Sequence, residues 1–154
     1  MNLSIIIPCY NELSTIEQVI ENVIDATGPE REIIVVDDCS TDGTREFLQE
    51  HVDGKTAVVV YQSKNQGKGA ALRAGIQAAT KDIVIIQDAD FEYDPRDYPL
   101  MIEPILKNEA DVVYGSRFKG NRPHRVLYFW HRMGNGLLTL LSNMFTDLNL
   151  TDME

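Results

Sequence analysis

Cysteine is scarce in this sequence. Cys9 and Cys39 are the only two, too few for the disulfide frameworks that hold small secreted domains together. They suit a reducing compartment. Both follow apolar strand-like runs and are expected close together in space, as partly buried thiols. Long apolar runs are missing as well: no stretch reaches the roughly 18 residues that a membrane-spanning helix needs. The first residues lack a basic segment and Pro8 interrupts their apolar run, so no secretory signal is expected. The sequons at Asn2 and Asn149 are then read as accidental.

Positive charge is in deficit. Fourteen Lys and Arg face 24 Asp and Glu, a formal net charge of −10. That balance excludes general nucleic-acid binding, which needs a basic face. It is compatible with a divalent cation lying between an acidic protein and an anionic substrate. Acid is absent in turn from residues 116–146, where Arg117, Lys119, Arg122, Arg125 and Arg132 all fall. With 154 residues, 44% hydrophobic and 25% charged, the composition is that of a globular domain able to bury a sizeable core.

What is present centres on residues 82–92. Ile83, Val84, Ile85 and Ile86 form an apolar run between polar residues and predict a strand buried on both faces of a parallel sheet. The run leads directly into Asp88-Ala89-Asp90, with Glu92 close behind. In open α/β sheets ligands gather at the carboxyl ends of the strands. Hard oxygen donors placed there suit Mg²⁺ or Mn²⁺. The alternative is that Asp88 and Asp90 merely solvate a strand end or cap the next helix.

Taken in order, residues 3–7 predict a first strand ended by Pro8, with Pro8-Cys9-Tyr10-Asn11-Glu12 a strand-to-helix loop. Ser14-Thr15-Ile16-Glu17 reads as a capping box, and Ile16, Val19, Ile20, Val23 and Ile24 make one helical stripe. Strands are expected over 33–36, 57–61 and 111–114, a short helix over 41–49, and an Ala-rich helix after Gly69 with Ala70, Ala71, Ala74, Ile76, Ala78 and Ala79. A further helix over 95–108 has Pro99 near its start and is kinked by Pro104. Strands alternating with helices predict a doubly wound, mostly parallel α/β sheet.

The loops narrow the class. After the first strand stands Pro-Cys-Tyr-Asn-Glu rather than Gly-x-Gly-x-x-Gly, so a dinucleotide-binding enzyme is not indicated. Gly67-Lys68-Gly69 lacks the spacing of a P-loop. The series Pro8-x-Tyr10-Asn11-Glu12, Val36-Asp37-Asp38-x-Ser40, Asn65-x-Gly67-x-Gly69, Asp88-Ala89-Asp90 and Gly115-Ser116-Arg117 resembles the family 2 glycosyltransferases of GT-A fold. More narrowly, it looks like the polyprenyl-phosphate sugar transferases of dolichyl-phosphate mannosyltransferase type.

The resemblance implies an inverting transfer of a sugar from a UDP- or GDP-linked donor to a polyprenyl phosphate, at the cytoplasmic face of a membrane. Pro8, Tyr10, Asn11 and Glu12 would border the nucleoside, and Asp37 or Asp38 would read the base or ribose. Lys68 and Ala89 would complete the nucleotide-sugar site. Asp88 and Asp90 would hold the metal against the diphosphate, with Glu92 as a further ligand. Asp90 and Arg117 would carry catalysis, and Arg117, Arg125 and Arg132 would meet the acceptor phosphate. Residues 1–121 would form the nucleotide-sugar-binding core, and residues 122–154 the start of an acceptor- or membrane-facing segment that continues beyond the chain.

The tail fits that picture. Residues 126–145 are aromatic and aliphatic with basic residues on the flank, which suits an interfacial amphipathic helix. An ordinary core helix is the alternative, and His124 and His131 are read as interface or core residues. A lipid phosphate needs no general base, because its attacking oxygen is already anionic, and residues 116–146 offer no carboxylate for one. Transfer to a saccharide hydroxyl would need such a base. A nucleotide-sugar-binding module without turnover is the remaining alternative. A receiver-like phospho-switch is excluded, because its acidic pair would follow the first strand and a Lys the last.

Overall fold

The computed structural model of the protein describes residues 2–91, 93–115, 129–147 and 149–151, and at positions 129, 131 and 132 the backbone alone. The chain forms two compact units, residues 1–98 and 99–154.

The first unit is built on four parallel strands in the order β3-β2-β1-β4. They are β1 (Leu3–Cys9), β2 (Arg31–Asp37), β3 (Val58–Tyr61) and β4 (Ile83–Ile86). Parallel neighbours need crossovers. These are α1 (Ile16–Ala26), α2 (Thr44–Phe47) continuing into a π-helical turn over Leu48–Val52, and α3 (Lys68–Ala78). After β4 come a 3-10 turn at Pro95–Asp97 and α4 (Tyr98–Leu106), and α5 (Phe129–Thr146) lies in the second unit. The predicted parallel α/β class is the observed one.

Periodicity explains the core. Ile16, Val19, Ile20 and Val23 are buried on α1, four of the five residues in the predicted stripe. Ile6, Ile34 and Val36 pack with Ala71 of α3 on one face of the sheet. The alternate set Ile5, Ile7, Ile33 and Val35 is equally buried, so both faces of the β1–β2 pair are covered, as a doubly wound sheet requires.

Four expectations are corrected. Pro8 does not end β1 but pairs with Val36 inside it. The Ile6 carbonyl accepts from Gln87 N on the β4 side, and the Cys9 carbonyl from Asp38 N on the β2 side. Residue 8 therefore faces the β4 side, where pairing has already stopped at Ile6–Ile86. The missing N–H costs no ladder bond.

The capping box does not form either. The Thr15 hydroxyl donates to the Glu12 carbonyl and carboxylate instead of accepting from α1.

β4 is buried on one face only. Ile85 is buried, whereas Val84 and Ile86 are 39% and 47% exposed. Ile86 shares the face of Ile6 by register, but α3 packs across β1 and β2 and leaves the outer strand uncovered. Residues 111–114 form no strand, because they have no ladder partner among the described residues; Val112 and Tyr114 are exposed.

In the second unit α5 exists as expected, and its described apolar side chains are exposed. Trp130, Leu137, Leu140, Met144 and Phe145 are each more than half exposed, unlike those of a core helix. Asn143 ties the helix to the following turn, its Nδ2 donating to the Leu150 carbonyl and its Oδ1 accepting from Leu150 N. No helix among the described residues is long and apolar enough to cross a membrane.

Two predictions follow from the packing of the first unit. A Cβ at Gly75 on α3 would overlap Ile6 Cγ2 and meet Val36 Cγ2 at 3.3 Å. Gly75→Ala gains up to about 1 kcal/mol of helix propensity but overpacks a stiff, buried β-branched neighbour at a cost of roughly 1–3 kcal/mol. Urea unfolding is expected to show net destabilisation. Glu32 anchors the start of β2 by accepting from the Ser4 hydroxyl and from Thr80 N and Oγ1. Burial alone would raise its pKa, but these bonds outweigh that and hold it below the usual carboxylate range. Its stabilisation is complete above that range and fades as the pH falls through the lowered folded-state value. Glu32→Ala is expected to cost about 1 kcal/mol at neutral pH, with the gap to the wild type closing in acid unfolding curves.

Candidate active site

Parallel strands bring their carboxyl ends to one edge, and a cleft opens there. Pro8, Cys9, Tyr10 and Glu12 line it from the end of β1 and its loop, and Asp38 from the end of β2. Lys68 and Ala71 enter from α3, and Asp88, Ala89 and Asp90 from the end of β4.

The walls are tied together by side chains that satisfy loop N–H groups. Asn11 N donates to Ser40 Oγ at 2.9 Å, Glu12 N to Thr44 Oγ1 at 3.0 Å and Leu13 N to Asp42 at 3.2 Å. In return the Asn11 side-chain oxygen accepts from Thr41 N at 2.8 Å. Asn11 takes a left-handed φ of 58°, which Asn tolerates better than most residues. Asp38 accepts from Gln66 N at 2.9 Å through one oxygen and from Gly67 N at 2.7 Å through the other. Gly67 has φ 84°, a conformation that lets α3 begin immediately with Lys68.

The acids at this edge have different fates. Asp37 is fully buried and does not line the cleft. Its carboxylate accepts from Arg45 Nε at 2.6 Å and from Ser40 N at 3.1 Å. Of the two residues expected at the base or ribose, only Asp38 faces the cleft. Asp88 is held by Lys68, with Nζ 2.7 Å from Oδ1 and 2.8 Å from Oδ2. The Cys9 thiol is pushed well up by burial and by the nearby Asp37, Glu12 and Asp42 carboxylates, so it stays protonated and unreactive. Both cysteines are unpaired thiols, Cys9 buried and Cys39 partly so.

Among the described residues no three His, Cys, Asp or Glu converge as a metal cage. Asp88 and Asp90 remain as two carboxylates in one cleft. That donor set fits Mg²⁺ or Mn²⁺, which keep several positions for water and substrate oxygens. Glu92, Arg117 and Arg125 lie outside the described residues, as does the side chain of Arg132. Asn11 serves the loop bracing and is not among the lining residues.

Gln87 was not singled out from the sequence. Its side chain is 1% exposed; Nε2 donates to the carbonyls of Asp88 and Tyr93, and Oε1 accepts from the Tyr98 hydroxyl at 2.7 Å. One amide therefore fixes both arms of the loop that carries Asp88 and Asp90. A polar residue directly after an apolar strand was its only signal.

A phosphate-bearing ligand at the carboxyl edge of an open α/β sheet is what this arrangement suits. The glycosyl transferase family 2 profile matches residues 4–150, and the chain belongs to that family. The dolichol-phosphate mannosyltransferase of Pyrococcus furiosus is 37% identical over 124 residues, covering 79% of this chain and 35% of that protein. The dodecaprenyl-phosphate galacturonate synthase of Rhizobium johnstonii is 34% identical, covering 76% and 36%. The chain thus spans about a third of the length of the curated relatives it matches. Among solved structures, a Pyrobaculum calidifontis mannosyltransferase in complex with GDP-mannose and Mn²⁺ superimposes with a TM-score of 0.52 at 35% identity, over 62% of this chain and 29% of that one. The Mycobacterium tuberculosis glucosyl-3-phosphoglycerate synthase with Mn²⁺, UDP-glucose and phosphoglyceric acid gives 0.58 at 31% identity, over 70% and 40%. The fold is that of the GT-A glycosyltransferases.

Gln87→Leu keeps roughly the volume of the side chain but strands the Tyr98 hydroxyl and two carbonyls. It is expected to cost about 2–3 kcal/mol in urea unfolding. Adding Tyr98→Phe to that variant should cost less than it does alone, a non-additivity that a double-mutant cycle reads directly.

Proposed function

We propose that this protein transfers a sugar from a UDP- or GDP-linked donor to a polyprenyl phosphate, with inversion, at the cytoplasmic face of a membrane. The observation that carries the reading is a cleft lined together by Tyr10, Glu12, Asp38, Lys68, Asp88 and Asp90. Nucleoside-facing and phosphate-facing residues share one sheet edge there. Pro8, Tyr10 and Glu12 border the nucleoside, with Asn11 bracing the loop that carries them, and Asp38 reads the base or ribose. Asp88 and Asp90 would hold Mg²⁺ or Mn²⁺, with Glu92 as a further ligand. When bound, the metal supplies charge neutralisation for the departing diphosphate.

The chain's own groups do the rest. Lys68 stabilises the same developing charge. Arg117, Arg125 and Arg132 gather the acceptor phosphate, whose oxygen attacks without a general base. The lack of any acid over residues 116–146 fits an acceptor that is itself anionic. The prenyl-phosphate acceptors in the names of the two relatives favour the same class. The exposed apolar residues of α5 suit contact with the bilayer that holds such a lipid. One solved neighbour holds GDP-mannose and another UDP-glucose, so donors with either base fit the reading.

Calorimetric titration with UDP and GDP, each with and without Mn²⁺, on the wild type and on Asp90→Ala tests the donor site. Binding of one nucleotide that depends on metal is expected, reduced by at least about tenfold in Asp90→Ala, as loss of a charged metal ligand implies. A folded chain that binds neither nucleotide would overturn the assignment.

A further inference from the structure

The Lys68–Asp88 ion pair has a placement that fold stability does not explain. Lys68 is the first residue of α3, where a positive charge opposes the helix dipole. Its side chain is 59% exposed and that of Asp88 is 21% exposed, so the pair adds little to stability. What it does is occupy both oxygens of Asp88, the atoms a divalent cation would take. Among the described residues lining the cleft there are four carboxylates and one ammonium. Asp38 already spends both oxygens on backbone N–H groups.

We infer that Lys68 is a displaceable counter-ion that couples metal binding to diphosphate binding. Without ligand, Lys68 neutralises Asp88 and competes with the metal. When a nucleoside diphosphate enters, the ammonium swings on its flexible stem to a phosphate oxygen and Asp88 is released to the metal. Metal alone binds weakly, the diphosphate alone binds weakly, and each strengthens the other by the same factor. The inference rests on the donor-site reading above and adds the order of events at that site. It would keep the acidic cleft from filling with a bare cation before the donor arrives.

The test measures binding rather than turnover. Free Mn²⁺ is followed by electron paramagnetic resonance and nucleotide by calorimetry, each in the presence and absence of the other. In Lys68→Met, Mn²⁺ alone is expected to bind roughly fivefold tighter, because one close positive charge is gone. The nucleotide alone is expected to bind roughly fivefold more weakly, through loss of a charge-assisted contact. The coupling factor should fall to about a fifth of the wild-type value. Lys68→Arg should retain most of the coupling, and Lys68→Gln repeats the neutral test should the Met variant fold poorly. Lys55→Met, in the turn before β3 at the opposite end of the sheet, reports the general effect of losing one charge, expected below about twofold. If Lys68→Met matches the wild type or only tracks Lys55→Met while the wild type still binds metal and nucleotide cooperatively, the role of Lys68 is overturned and the donor site stands. If the folded wild type binds neither, both fall.

Discussion

The level at which β1 and β2 end together governs the candidate site. Cys9 and Asp37 are their last paired residues, with one more bond from Asp38 N to the Cys9 carbonyl. Beyond that point no strand remains to satisfy the backbone, and exposed or half-buried N–H groups need other acceptors. Ser40, Thr44, Asp42, Asn11 and Asp38 supply them across the two loops and to the loop before α3. Small polar residues in these loops therefore have a structural duty before any ligand arrives. The bonds also hold Asn11 in a left-handed conformation, which costs on the order of 1 kcal/mol when unsupported. A cleft whose walls are tied in this way is organised for its ligand in advance.

Three acids at that edge are compensated in three ways that differ in how readily they are undone. Asp37 is fully buried and needs a permanent partner, because an unpaired charge there would cost several kcal/mol. Arg45 provides it, also donating to the Gln62 carbonyl at 2.6 Å and lying 5.5 Å from the Tyr61 ring centroid. Asp38 meets fixed backbone donors. Asp88 meets a lysine that is mostly in solvent, and such a pair contributes only about 0–1 kcal/mol. The compensation that is most readily undone sits on Asp88, one of the two carboxylates proposed to hold the metal.

The strands and their closing motifs were legible because each apolar run stops at a polar or glycine-rich segment. The partition of roles within those motifs was not. Asp37 and Asp38 are chemically identical neighbours, and only the strand's alternation turns one inward to Arg45 and the other to the cleft. Arg45 stands eight residues from Asp37 and Lys68 twenty from Asp88, separations without periodic meaning. The run at 111–114 has the composition of a strand, but a strand also requires a partner. Pro8 has the composition of a strand breaker yet lies within β1, because composition does not reveal which edge a residue's missing N–H faces.

The position of β4 explains why its carboxylates can sit in an irregular loop. As the outer strand of the described sheet it pairs with β1 alone, and the pairing ends at Ile86 with one further bond from Gln87 N to the Ile6 carbonyl. A central strand would have carried residues 88–90 onward between two neighbours, with their side chains alternating between faces. Here the ladder gives way to the Gln87 amide, which holds the Asp88 and Tyr93 carbonyls from within the protein. Asp88, Ala89 and Asp90 all line the cleft from the end of this strand. A buried side chain thus takes over from a strand neighbour at the point where regular pairing ends.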